Sequence, residues 1–278
     1  MVRSGNPAPP EATVRFFRPA QRFAVVAAAA AAALAGAVLP ASAAVGKYVA
    51  LGDSYSSGTG AGSYGSSGGC KRSANAYAQL WANANKPSSF SFAACSGAVT
   101  SDVLNSQVSA VTSDTALVTL SIGGNDAGFA NVMITCNTSS DATCVSRNTE
   151  AQNFARTTLP GRLDNVYNAI RTRAPGARVV VVGYPHIYQL GGSCSIGLSE
   201  TKRAAVNTSS DVLANVIAAR AAAHGFTFVD GRTAFAGHEI CASGARWLNS
   251  VTFPVDESYH PNAAGQSGGY YAALERVA

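Results

Sequence analysis

Five short apolar runs punctuate this chain, and each stops abruptly at small or polar residues. They are Tyr48 to Leu51, Phe90 to Ala93, Ala116 to Ile122, Ala177 to Gly183 and Phe226 to Val229. Runs of this length, rich in Val, Ile, Leu and aromatic residues, predict buried strands. The segments between them have helical spacing. A helix is expected from a Ser73 cap through Trp81, and another from Ser101-Asp102 with Val103, Leu104 and Val108 turned inward. Thr149 to Arg173 reads as a helix kinked at Pro160. Ser199, with Glu200 behind it, opens a long alanine-rich helix to His224 that Gly225 stops. A last helix is expected from Pro261, a residue suited to a first helical turn. The segment after Asp126, to Ser146, contains Cys136 and Cys144 and reads as a pinned excursion. Alternation of strand and helix predicts a parallel sheet with both faces covered. The polar strand ends then share one edge, where sites in such sheets collect.

The N-terminus interrupts this pattern. Arg3, Arg15, Arg18 and Arg22 precede an apolar, alanine-rich run from Phe23 to Leu39, and Pro40-Ala41-Ser42-Ala43 follows. This is the layout of a secretory signal peptide. Residues 1–43 are expected to be cleaved, leaving one domain over 44–278. The chain's net +5 then falls to about +2, which is too weak and dispersed for a nucleic-acid partner. All six cysteines (Cys70, Cys95, Cys136, Cys144, Cys194 and Cys241) lie in that domain. An even count in an exported chain suggests disulfides, and six cysteines allow 15 pairings. Sequential pairing closes the shortest loops. No CxxC or His-x-x-x-His spacing points to zinc, so no metal or organic cofactor is expected.

Three strand ends carry chemistry: Gly52-Asp53-Ser54, Ser96-Gly97, and Gly123-Gly124-Asn125-Asp126. A serine hydroxyl is a weak nucleophile until a base takes its proton, and histidine is suited to that task. His260, beside the last helix, is the candidate base and Ser54 the candidate nucleophile. The N–H groups of Ser54 and Gly97 and the amide of Asn125 are candidate donors to an oxyanion. The plainer readings are a helix cap for Ser54, a turn for Asp53 and a cap for Asp126. His186, His224 and His238 read chiefly as structural. The glycines between Gly58 and Gly69 lack a following Gly-Lys-Ser/Thr, which argues against a phosphate cradle.

Taken in order, Gly52-Asp53-Ser54, Gly97, Gly123-x-Asn125-Asp126 and His260-Pro261 resemble the four blocks of the SGNH hydrolases, or GDSL esterases and lipases. The chain is most similar in layout to the secreted actinobacterial members with three disulfides. The resemblance implies a three-layer α/β/α sandwich, flavodoxin-like, around a central five-stranded parallel sheet. It implies Ser54 as nucleophile, His260 as base, and Ser54, Gly97 and Asn125 as the oxyanion hole. It favours the pairs Cys70–Cys95, Cys136–Cys144 and Cys194–Cys241. Members of the family often carry aspartate three residues before the histidine; here that residue is Glu257, with Asp256 one earlier. Three groups therefore stand as candidates to orient His260: the Ser258 carbonyl, Glu257 and Asp256. The expected activity is that of a secreted serine carboxylic-ester hydrolase on a small or lipid ester. At most transient contact with a lipid surface is expected, and a monomer. The alternatives are a polysaccharide deacetylase, such as one acting on acetylxylan, and a non-catalytic binding module on the same fold.

Overall fold

The computed structural model describes residues 46–194 and 197–278. The signal peptide expected over 1–43 lies outside the described residues. The first strand, β1 (Lys47–Gly52), is buried from Tyr48 onward on both faces, as a strand between two helical layers must be. It ends at Gly52, and Asp53 caps a single helical turn, α1 (Ser54–Ser57), by accepting the Tyr55 N–H at 3.0 Å. A loop leads to α2 (Tyr77–Asn85) and β2 (Phe90–Phe92). The crossover back over β1 is short: α3 (Thr100–Asp102) runs into a π turn, Val103–Gln107, and a 3₁₀ turn, Val108–Ala110. Then come β3 (Thr115–Ser121), α4 (Phe129–Thr138), α5 (Asp141–Thr157) and α6 (Leu159–Arg173). The valine run forms β4 (Arg178–Val182), α7 spans Glu200–Ala223 and β5 spans Thr227–Val229. A single turn, α8 (Gly231–Ala234), opens the long final loop. The chain closes with a π-helical segment, Gly265–Tyr271, that runs into α9 (Ala272–Leu274).

The five strands pair in parallel in the order β2-β1-β3-β4-β5. Register levels their ends: Gly52 stands opposite Ser121, and the Cys95 N–H donates to the Gly52 carbonyl at 3.0 Å. The ends of β1, β2 and β3 therefore lie side by side. The core is built on both sides of them from Tyr48, Leu51, Leu120, Ile122, Leu163 and Ile170, all fully buried. Among the helices, α2 packs against the π-helical segment, while α5 and α6 pack against α7.

Several expectations need correction. The flavodoxin-like label does not hold. What is present is an α/β fold with a five-stranded parallel sheet in the order above and flanking helices. Its crossovers are not one helix per strand: three helices join β3 to β4, and β2–β3 carries only broken turns. The excursion around Cys136 is helical, because α4 and the start of α5 pack together and their cysteines join across the turn. Pro160 marks a break rather than a kink. It has no N–H to continue α5 and sits instead in the first turn of α6. Ser73 holds a turn, accepting the Asn75 N–H at 2.9 Å, so α2 begins only at Tyr77. Pro261 stays outside the last helix; it bridges to Leu248, and the Asn262 side chain accepts the Gly265 N–H at 3.0 Å.

Disulfides join Cys70 to Cys95, Cys136 to Cys144 and Cys194 to Cys241. The first ties the loop after α1 to the end of β2. Within that loop-strand junction the Ser96 N–H donates to the Cys70 carbonyl at 3.0 Å.

Candidate active site

Gly52 shows why the turn after β1 needs glycine. Its φ is +119°, and a Cβ there would lie 2.3 Å from the Ser121 carbonyl oxygen. The close approach lets the Asp53 N–H donate to that oxygen at 2.9 Å. Gln107 grips the other side, accepting the Gly52 N–H at 2.7 Å and donating to its carbonyl at 2.9 Å. Ser54 is thereby fixed at the head of α1, nearly buried.

His260 arrives from the far end of the chain. Its Nε2 lies 2.7 Å from Ser54 Oγ, and its Nδ1 lies 2.9 Å from the Ser258 carbonyl oxygen. A carbonyl only accepts, so Nδ1 carries the proton. Nε2 of the neutral ring then accepts a hydrogen bond from the Ser54 hydroxyl. The turn that allows this is strained: Tyr259, between the two, has φ +65°. Such a conformation costs on the order of 1–3 kcal/mol in a non-glycine residue and needs support. Support comes from three sides. The Tyr259 N–H donates to the Asn249 carbonyl at 2.9 Å, its own carbonyl accepts Tyr55 Oη at 2.7 Å, and its hydroxyl accepts Asn137 Nδ2 at 2.8 Å.

Of the three groups considered for orienting His260, only the Ser258 carbonyl meets Nδ1. The carboxylates of Asp256 and Glu257 turn to Lys71 instead, at 2.7 and 3.3 Å. Burial pushes the His260 imidazole down to about 4, against the opposing pull of the Ser258 carbonyl and the more distant Asp256 and Glu257 charges. The ring is neutral at physiological pH, ready to take a proton.

Gly97 and Asn125 line the same cleft as Ser54 and His260. Among the described residues, the Ser54 and Gly97 N–H groups have no protein acceptor. Asn125 Nδ2 donates one hydrogen to the Ala98 carbonyl at 3.0 Å, which leaves its second free. Asp126 ties the two turns together. Its oxygens accept the Thr100 N–H at 2.9 Å, the Thr100 hydroxyl at 2.6 Å and Arg162 Nη1 at 3.1 Å.

Asp53 does more than cap α1. It also accepts the Ser121 hydroxyl at 2.7 Å and the Tyr184 hydroxyl. Burial pushes its carboxyl up to about 6, although all these donors favour the ionised form. Gln107, Lys71, Thr100 and Arg162 carry no motif, so reading the sequence did not single them out for this site; Asp126 lies in the Gly123-x-Asn125-Asp126 block, but its bonds to Thr100 and Arg162, like that of Tyr184 to Asp53, are long-range. The remaining histidines lie elsewhere: His186 bonds Asp211, His224 bonds Asp164, and His238 stacks on Trp247.

The cleft holds about 640 Å³ and is walled by Phe129, Met133, Ile134, Val251, Val255 and Tyr259. A second, narrower apolar cavity of about 60 Å³ meets it at Ser54 and Asn125, with Phe129 on the boundary. Among the described residues, no group of three or more His, Cys, Asp or Glu side chains is arranged to hold a metal ion.

A serine hydroxyl bonded to a neutral imidazole, with free amide donors beside it and apolar walls around it, is the equipment of a serine ester hydrolase. Residues 50–267 match the model of the GDSL-like lipase/acylhydrolase family, and the chain belongs to that family. It is 60% identical over 233 residues to Lipase 1 of Streptomyces coelicolor, covering 83% of this chain and 86% of that protein. The crystal structure of phospholipase A1 from Streptomyces albidoflavus NA297 superposes with a TM-score of 0.82 at 57% identity. That of the extracellular lipase from Streptomyces rimosus does so with a TM-score of 0.82 at 56% identity. Each match covers 84% of this chain and 100% of the other. The chain is thus an enzyme of the GDSL/SGNH lipase and esterase type, and the binding-module alternative is set aside.

Proposed function

We propose that this protein is an exported hydrolase of lipid esters that works as a monomer through an acyl-enzyme on Ser54. The observation that carries the reading is the 2.7 Å contact between His260 Nε2 and Ser54 Oγ, with Nδ1 held at 2.9 Å by the Ser258 carbonyl. In this reading Nε2 takes the serine proton as Oγ attacks the ester carbonyl. The oxyanion that forms accepts the N–H groups of Ser54 and Gly97 and the free amide hydrogen of Asn125. The imidazolium, stabilised by the Ser258 carbonyl, then protonates the leaving alcohol. Water, deprotonated by the same ring, releases the acid and restores Ser54.

Export and the 44–278 domain are supported by the signal-peptide pattern over 1–43 and by the three disulfides. The Streptomyces rimosus relative is an extracellular lipase, which agrees with them. A lipid ester is supported by the apolar walls of the cleft and by relatives described as lipases and a phospholipase A1. No nucleic-acid partner is proposed.

The test is hydrolysis of p-nitrophenyl esters from acetyl to palmitoyl, and of phosphatidylcholine, by the purified protein and by Ser54→Ala. The expected result is turnover that peaks at medium or long chains and vanishes in the variant. A peak at acetyl with no lipid turnover would replace this reading with the deacetylase.

A further inference from the structure

Of the six large apolar side chains exposed among the described residues, the four most exposed fall together, apart from Val145 and Leu190. Among the described residues, Ile134, Val251, Phe253 and Val255 are 61%, 64%, 90% and 70% exposed. Ile134, Val251 and Val255 also line the cleft that holds Ser54 and His260. Phe253 stands between the two valines in the chain and lines neither cavity. Clustered exposed apolar residues mark an interaction surface, whereas single ones do not.

The loop that carries three of them is anchored to the support of His260. The Thr252 N–H donates to Ser258 Oγ at 3.0 Å, and the Asn249 N–H donates to the His260 carbonyl at 2.9 Å. What docks on the loop is therefore held in a fixed position relative to the cleft mouth. The only ionisable side chains from Val251 to Ser258 are Asp256 and Glu257, both engaged by Lys71. No free cation on this loop meets an anionic surface.

We propose that Phe253, flanked by Val251 and Val255, docks the enzyme on a neutral or zwitterionic lipid surface, with the cleft opening toward it. The proposal rests on the lipid-ester reading above. A chain leaving the aggregate then passes from lipid to Phe253 and the valines, and from there to the apolar walls, without crossing water. Removing a buried phenyl group of this kind lowers partitioning by about tenfold or more.

The test is flotation of the purified Ser54→Ala protein with phosphatidylcholine vesicles, so that binding is read without turnover. Adding Phe253→Ser is expected to lower the bound fraction about tenfold, with an unchanged melting temperature. Leu190→Ser, at an exposed leucine outside the cleft, is expected to leave binding within about twofold. Phe253→Trp is expected to retain binding, with indole emission shifted to the blue on vesicles. Phosphatidylglycerol vesicles are expected to bind no better than phosphatidylcholine. Equal binding with and without Phe253→Ser, or no binding by the parent, overturns the proposal. So does a dimer in sedimentation velocity that Phe253→Ser dissociates, which would assign the face to a second copy. Failure of the ester-hydrolase reading would appear separately, as wild-type protein that binds vesicles but leaves every ester intact.

Discussion

The Nδ1–H of His260 donates a hydrogen bond to the carbonyl of Ser258, two residues earlier in the chain, at 2.9 Å. The third member of a serine–histidine system is usually drawn as a carboxylate. In the proposed mechanism the backbone supplies it, through a turn strained at Tyr259. A carbonyl fixes the tautomer as a carboxylate does, but brings no full charge to the imidazolium.

That relationship predicts what the nearby acids do. Asp256→Asn and Glu257→Gln, made singly, are expected to keep kcat within about threefold, because both carboxylates face Lys71. A loss of about 10⁴ in kcat for either, as when a triad carboxylate is disabled, would contradict the assignment. Steady-state kinetics on a soluble ester decides.

The proposed oxyanion donors predict a kcat effect. Asn125→Ala is expected to lower kcat by about 10²–10³ with a much smaller change in KM, since the amide meets charge only in the transition state. An equal rise in KM with kcat unchanged would make Asn125 a ground-state contact.

The cleft wall predicts chain-length preference. Ala130 is exposed and lines the cleft, so a larger side chain there enters the cleft rather than the core. Ala130→Trp is expected to lower the palmitoyl-to-acetyl rate ratio by about tenfold, the loss of a few methylene contacts. An unchanged ratio would place the acyl chain elsewhere.

Two buried titrations predict an opposed pH dependence of stability. Burial pushes His260 from 6.5 down to about 4. Between those values the unfolded chain binds the extra proton, so this group's contribution falls as pH falls from 6.5 toward 4. Asp53 is pushed from 3.8 up to about 6. Between those values the folded chain binds the extra proton, so its contribution rises as pH falls from 6 toward 3.8. Across the shared window the two slopes offset each other. Asp53→Asn is expected to uncover the histidine slope, up to about 1.4 kcal/mol per pH unit in urea unfolding. An identical slope in wild type and variant would contradict these shifts. The same burial puts the acid limb contributed by His260 to kcat/KM below the ordinary imidazole range.

Much of this was legible in the sequence because strands and chemistry were written locally. The apolar runs at Tyr48, Phe90, Ala116, Ala177 and Phe226 all became strands, within a residue or so at most ends. The Ser199 cap and the Gly225 stop bound α7, since a hydroxyl acceptor and a φ of +66° are local needs. What the sequence hid is long-range. Gln107 reads as an ordinary polar helix residue until β1 folds against it. Tyr184 reads as a strand breaker until its hydroxyl reaches Asp53 across the sheet edge. Lys71 withdraws Asp256 and Glu257 from His260 only because the Cys70–Cys95 loop brings it there. The breaks around Ser73 and Pro261 misled because each residue bonds to a neighbour rather than to the helix it seemed to begin.

The most direct measurement is fluorophosphonate labelling of the purified protein, followed by peptide mass mapping and a parallel rate assay. Stoichiometric label on Ser54, loss of turnover in step with labelling, and no labelling of His260→Ala are the results this mechanism predicts. Label on another residue, or full turnover in Ser54→Ala, would contradict it.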